Sequence, residues 1–154
     1  MQEPELPNLE PELPKMLAGK LCGINAAMRV IYAEFSQSMR VEDNDAYCVA
    51  ITHLFMVARS QRVPIPTERI ISETHNKYPF MGDWQALCTS PSTKRIRASG
   101  LKAMRDALKA KKRDKVERFA QIGNWVHEAY LNGLNYVVPA EGRILPGCYG
   151  TSRR

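Results

Sequence analysis

The sequence predicts an all-α protein: a single bundle of about five to seven helices with an extended Pro-rich N-terminal arm and an extended C-terminal tail. Apolar residues recur at spacings of three and four between residues 17 and 134, the pattern of a buried helix face. Four of the ten prolines fall within residues 1–14. The length of 154 residues suffices for one domain with a core, and we assign residues 15–135 to that helical domain.

The N-terminal arm, residues 1–14, contains the tetrapeptide PELP twice, seven residues apart, together with four glutamates. This proline density prevents a helix and favours polyproline II structure. Three interpretations remain open: a solvated arm, an acidic segment that covers the basic helix described below until nucleic acid displaces it, or an arm that docks on a neighbouring subunit. The docking interpretation uses the apolar residues Leu6, Leu9 and Leu13.

Two long helices are predicted in the first half of the domain. The apolar seam of the first helix has heptad-like spacing, and we interpret it as a core face in preference to a dimer interface. This seam consists of Leu17, Leu21, Ile24, Met28, Ile31 and Phe35. The second helix is apolar almost all round over residues 46–58, which places it in the middle of the bundle. His53 within it is interpreted as a hydrogen-bonded core histidine, not as a catalytic base.

Two short helices are predicted between residues 67 and 88, after a stiff VPIP connector. Residues 114–117 resemble a capping box, which would start a new helix there. The alternative is that the preceding helix continues through these residues without a break. A stripe of bulky apolar residues at 116–134 indicates a final core helix. Trp125 lies off this stripe, and we expect it to contact a neighbouring element or subunit. The helical period ends after this stripe, and residues 136–154 are expected to form an extended basic tail.

The most distinctive segment is basic: residues 90–118 hold 11 of the chain's 22 Lys and Arg residues against three acidic ones, a local net charge of +8. The segment 91–113 is predicted as one helix capped by Ser90, with Leu101, Met104 and Leu108 packed on the core and the cations on an adjacent stripe. Leu101→Asp is therefore expected to unfold the chain. One-signed stripes are typical of surfaces that bind polyanions. The residues predicted to bind nucleic acid are Lys94, Arg95, Arg97, Lys102, Arg105, Lys109, Lys112, Arg113 and Arg118.

No catalytic, cofactor or metal motif is recognisable in the chain. The four cysteines lack C-x-x-C spacing and no Cys/His spacing fits zinc, so we expect reduced thiols, no metal and no cofactor. Because no phosphate-binding loop, nucleophile elbow or acidic trio occurs, an enzyme is not expected. No apolar run reaches about 18 residues and the N-terminus is acidic, so we expect an intracellular protein that does not span a membrane.

This charge distribution favours a nucleic-acid-binding structural protein of a coat-like or nucleoprotein-like kind, which binds the phosphates of RNA or DNA largely without sequence specificity. Its terminal arms are expected to link subunits into a homo-oligomer. A second hypothesis is a helix-turn-helix DNA-binding protein, in which Arg95, Arg97 and Lys102 face the major groove. A third is an adaptor whose PxxP arm binds a protein partner.

Overall fold

The computed structural model of the protein describes residues 13–35, 41–63 and 82–135, together with Glu68, Arg69, Ser72 and Asn76. The three continuous ranges contain five α-helices and no strand, which confirms the predicted all-α class. The helices are α1 (Leu13–Phe35), α2 (Val41–Ser60), α3 (Gly82–Thr89), α4 (Thr93–Lys109) and α5 (Arg113–Gly133). Residues 1–12 of the predicted arm and the predicted tail, 136–154, lie outside the described residues.

Helix α2 occupies the middle of the bundle, as its almost uniformly apolar sequence predicts. Val49, Ile51 and Leu54 are completely buried on different sides of the helix. Helix α5 packs most extensively on α1 and also on α2, while α4 packs mainly on α2 and also touches α5. Each apolar side chain buried in this way stabilises the fold by about 1.5–3 kcal/mol relative to its exposure.

The apolar seam of α1 faces the core of its own chain. Leu21, Ile24, Met28, Ile31 and Phe35 all belong to the buried cluster. This confirms that the heptad-like spacing marks a core face. The opposing stripe on α5, which includes Phe119, Ile122, Val126 and Tyr130, is buried against it and against α2.

His53, predicted as a hydrogen-bonded core histidine, is half-buried where α2 meets α5. Burial holds the pKa of the ring below its usual value, although the hydrogen bond between the imidazole and the backbone of Phe119 opposes this shift, and the ring is neutral at pH 7. Gly123 packs directly on the ring, since a Cβ built at Gly123 would lie 2.7 Å from the imidazole Cε1. The neutral ring therefore helps to join α2 to α5.

The basic segment differs from the single helix predicted over 91–113. It forms α4 and the start of α5, with a break at residues 110–112. Ser90 is not the N-cap that the sequence predicts, because its Oγ instead accepts from the Ser92 backbone N–H at 3.2 Å and α4 begins at Thr93. The Thr93 hydroxyl donates to the Leu87 carbonyl and ties this turn to α3.

The buried face of α4 is also rotated from the predicted one. Thr93, Gly100 and Ala107 are buried, whereas Leu101 is 44 % exposed and Leu108 is 63 % exposed. The prediction that the leucines face the core was therefore wrong. The physical reason is the short distance between the α4 and α2 backbones, which admits only small side chains at the centre of the contact and leaves the bulky ones at its edge.

Gly100 is the point of closest approach between α4 and α2. A Cβ at this position would lie 2.5 Å from the Cys48 carbonyl oxygen and would also overlap the Thr52 hydroxyl. That hydroxyl already donates to the Cys48 carbonyl at 2.7 Å, so neither atom is free to move away. A side chain at Gly100 would consequently push the two helices apart.

We expect Gly100→Ala to lower the free energy of unfolding by about 1–3 kcal/mol, because overpacking against the α2 backbone outweighs the better helix propensity of alanine. The matched control is Gly19→Ala in α1, where a Cβ meets nothing within 4 Å. That change should raise the free energy of unfolding by about 0.5–1 kcal/mol. Urea denaturation of both variants measures the contrast, and equal effects would contradict the close contact.

A second pair of substitutions tests the orientation of α4. Ala107→Asp should cost about 3 kcal/mol or more, because it places a charge in the core. Leu101→Asp should cost only about 1 kcal/mol or less, because Leu101 lies at the edge of the contact. Circular dichroism and thermal melting distinguish the two, and unfolding of the Leu101 variant alone would support a helix that buries its leucines.

Candidate nucleic-acid interface

The cations of α4 lie on the side of the helix opposite its buried face, not beside it as predicted. Residues advance by about 100° each along a helix, which places the basic stripe roughly half a turn from Gly100 and Ala107. The five exposed cations of the stripe are Lys94, Arg95, Lys102, Arg105 and Lys109. From its first to its last residue the stripe runs about 22 Å at 1.5 Å per residue. All five therefore project away from the bundle.

Arg97 does not share the environment of that stripe. It is half-buried, and its guanidinium carbon lies 4.8 Å from the centroid of the Phe55 ring in α2. A guanidinium over an aromatic face is held by the ring quadrupole. Nearby, burial raises the pKa of the Cys88 thiol to about 12, and the positive charge of Arg97 opposes that rise. Of the nine predicted binding residues, Arg97 is the one turned toward the interior of the protein.

The turn between α4 and α5 concentrates further cations at one end of the stripe. Lys111 adopts the left-handed conformation, with φ 55°, at the position after a helix where glycine is usual. The Lys112 N–H donates to the Ala107 carbonyl at 3.0 Å and the Lys111 N–H to the Leu108 carbonyl at 3.1 Å, which is the Schellman pattern. This pattern turns the chain sharply, so exposed Lys112 and the first residues of α5 lie beside the end of α4.

Helix α5 extends the basic surface past this turn. Arg113, Lys115 and Arg118 are exposed on its first two turns. Two carboxylates, Asp114 and Glu117, lie among them, and both are exposed. Together with the α4 stripe and the turn, these residues form what we call the basic surface: Lys94, Arg95, Lys102, Arg105, Lys109, Lys111, Lys112, Arg113, Lys115 and Arg118.

Few of these cations are neutralised by carboxylates of the described residues. Among the described residues, the ion pairs of the basic surface are Lys102 with Asp106 at 2.8 Å and Lys115 with Asp45 at 4.0 Å. The hydrogen bond to Lys102 holds the pKa of Asp106 below its usual value, and the same bond raises the pKa of Lys102. Both partners are well exposed, so solvent screens the pair and it adds little to stability. Within the part of the chain that the structure describes, no carboxylate pairs with the other eight cations.

Trp125 lies on α5, two turns beyond Arg118. The indole is half-buried and meets the Phe35 ring of α1 edge to face, with ring centroids 6.0 Å apart and an interplanar angle of 85°. Trp125 thus contacts a neighbouring element of its own chain. Of the other residues predicted to contact a subunit or partner, Leu6 and Leu9 lie outside the described residues, and Leu13 is the first residue of α1 with its side chain outside the described set.

A groove between the end of α1 and the middle of α5 is a feature that the sequence did not predict. It encloses about 330 Å³ and is lined by Glu34, Phe35, Arg118, Gln121, Ile122 and Trp125. Residues of two distant segments form it, so no local spacing could reveal it. The sequence did show that Trp125 lies on a different face of its helix from the core stripe. That position predicts a contact outside the core, but it does not identify the residue that Trp125 contacts.

The described residues contain neither a metal-like cluster nor a membrane-length helix. No group of three or more His, Cys, Asp or Glu side chains lies together there. Within the same residues, no helix combines the length and apolarity needed to cross a membrane. Cys22 and Cys48 are buried and Cys88 is half-buried, and burial raises the pKa of the Cys48 thiol as it does that of Cys88.

Comparisons with known proteins give no relative for the chain. No protein-family model matches it. Among curated proteins and solved structures, none matches either.

The turn provides a test that separates conformation from charge. Lys111→Gly should raise the free energy of unfolding by up to about 1 kcal/mol, because glycine adopts the left-handed conformation without the cost that a side chain carries. Lys111→Ala removes the same charge but keeps that cost, so its stability should not rise. Urea denaturation at one ionic strength compares them. An equal gain in both variants would mean that charge repulsion, not φ, limits stability at the turn.

Proposed function

We propose that the protein binds the phosphate backbone of RNA or DNA through the basic surface of α4, the turn and the start of α5, as a nucleic-acid-binding structural protein. The observation that carries the proposal is the arrangement of ten exposed cations on one helical hairpin, with only two of them in ion pairs among the described residues. Like charges held this close repel one another, and a bound polyanion removes that repulsion.

The side chains on this surface favour contacts with phosphates over contacts with bases. Lysine and arginine neutralise phosphates and release the counterions condensed on nucleic acid, which gives affinity without sequence information. The α4 stripe, about 22 Å long, matches roughly six base pairs at 3.4 Å per pair. We therefore propose binding that is largely independent of sequence and steeply dependent on salt.

The wider role that fits such binding is packaging or coating by many copies of the chain, in the manner of a coat protein or nucleoprotein, inside the cell. The terminal segments beyond the described residues are the proposed links between copies. Sedimentation of the purified protein with and without nucleic acid measures the proposed assembly separately from binding, because particles or filaments sediment far faster than single chains.

A helix-turn-helix remains a second candidate for the same helices, because α3, the turn at residues 90–92 and α4 follow one another in the required order. Its support is weaker, since Arg97, one of the three side chains assigned to the major groove, packs on Phe55. The adaptor hypothesis depends on the PxxP arm, which lies outside the described residues. A footprint at one defined sequence would favour the helix-turn-helix.

Two variants that change the charge of the α4 stripe in opposite directions test this proposal. Lys102→Glu combined with Arg105→Glu should lower affinity at least about tenfold and make the slope of log K against log salt shallower by about 1 for each phosphate that is no longer neutralised. Asp106→Asn should raise affinity, because it removes a carboxylate from the stripe and frees Lys102. Fluorescence anisotropy with labelled oligonucleotides over about 50–200 mM salt measures both effects.

The matched control for Asp106→Asn is Glu128→Gln, which changes the net charge equally but lies exposed near the far end of α5. If binding depends on the basic surface, Glu128→Gln leaves affinity nearly unchanged. Equal gains from both neutralisations would mean that only the total charge matters. Normal binding by the double Glu variant would mean that the α4 stripe is not part of the interface.

A further inference from the structure

We infer that the groove between α1 and α5 holds an unpaired base of single-stranded nucleic acid, stacked on Trp125, while Arg118 contacts the adjoining phosphate. This inference rests on the proposed function, because the basic surface delivers the strand to the groove. It goes beyond that function by naming the form of nucleic acid, which the phosphate contacts of the basic surface do not distinguish.

The indole of Trp125 retains a face on which a base can stack. In an edge-to-face pair, one ring directs its edge at the face of the other, so Phe35 covers at most one face of the indole. Trp125 is only half-buried, unlike Trp84, which is completely buried. The Phe35 ring, itself only 7 % exposed, holds the indole in place, so a base stacks on a surface that is already ordered.

The groove has the size and lining that a base requires. Its volume of about 330 Å³ lies at the lower end of the range for small-ligand sites, which suits one planar ring system and excludes a duplex. Ile122 and Phe35 supply apolar walls, being 8 % and 7 % exposed. Base-on-aromatic stacking of this kind contributes about 1–3 kcal/mol per base.

The charges around the groove orient the strand. Arg118 belongs to the basic surface and also lines the groove, so the groove opens directly onto the phosphate-binding region. Glu34 lines the same groove and brings a carboxylate, which repels phosphates but accepts hydrogen bonds from the exocyclic amino group of cytosine. Gln121 adds an amide that both donates and accepts. The phosphate is thereby directed to Arg118 and an amino-bearing base to Glu34.

The experiment follows the emission of the wild-type protein while a short oligocytidylate is added. Trp84 is completely buried, so acrylamide quenching reports mainly on the half-buried Trp125. The oligocytidylate should quench the emission of Trp125. The emission that remains should be less sensitive to acrylamide than it is in the free protein. A duplex with the same number of phosphates should bind without either change. Binding of both probes with no change in Trp125 emission overturns the inference and leaves the proposed function standing.

Substitutions provide a second measurement. Trp125→Ala should weaken oligocytidylate binding by roughly 5- to 150-fold and leave duplex binding unchanged, while Trp125→Phe should retain most of the affinity. Thermal melting of each variant confirms that the variant is folded. The emission experiment uses only the wild-type protein, so its result stands even if a variant fails to fold. Equal losses of single-stranded and duplex binding overturn the stacking role. Failure of the wild-type protein to bind either probe overturns the proposed function and this inference together.

Discussion

The contact between the backbones of α4 and α2 at Gly100 determines the orientation of the α4 stripe of the basic surface. Because Gly100 has no side chain, α4 lies directly on the Cys48 carbonyl and the Thr52 hydroxyl. That hydroxyl donates to the Cys48 carbonyl and also reaches the Arg97 carbonyl at 3.4 Å. A helix held this close by its small residues has one possible inward face. Its opposite face, which carries the cations, is consequently directed into solvent.

The ends of α2 and α4 place cations where the helix carbonyls are unpaired. Arg62 after α2 and Lys111 after α4 are the non-glycine residues with positive φ among those described, and each ends a Schellman pattern. A positive side chain is favourable beside the negative end of a helix dipole, which offsets part of the cost of the left-handed conformation. Lys20 adds to this at α2, since its Nζ donates to the Gln61 carbonyl at 2.6 Å. At the turn between α4 and α5 the same arrangement also joins two basic segments.

The basic surface and the groove differ in what they can recognise. The exposed lysines and arginines on α4 are the proposed contacts for phosphates, which every nucleic acid carries and which bind cations most strongly at low salt. Trp125 and Phe35 form the aromatic side of the groove, which is the proposed site for a base removed from a duplex. Arg118 belongs to both regions, because α5 begins at the basic turn and runs on past the end of α1. The packing of α5 on α1 therefore places the proposed phosphate-binding surface beside the proposed base-binding groove.

The sequence by itself determined the helical class, the core faces of α1, α2 and α5 and the segment in which positive charge is concentrated. These features depend on local periodicity, on side-chain bulk and on composition, which any single segment carries. It did not determine the face that α4 buries, because the leucines at 101 and 108 have the larger apolar area while the backbone contact with α2 requires Gly100 and Ala107. Nor did it separate Arg97 from the other cations, since its partner, Phe55, lies 42 residues earlier in the chain. Only the packing of helices distant in sequence decided those points, and the groove beside Trp125 exists for the same reason.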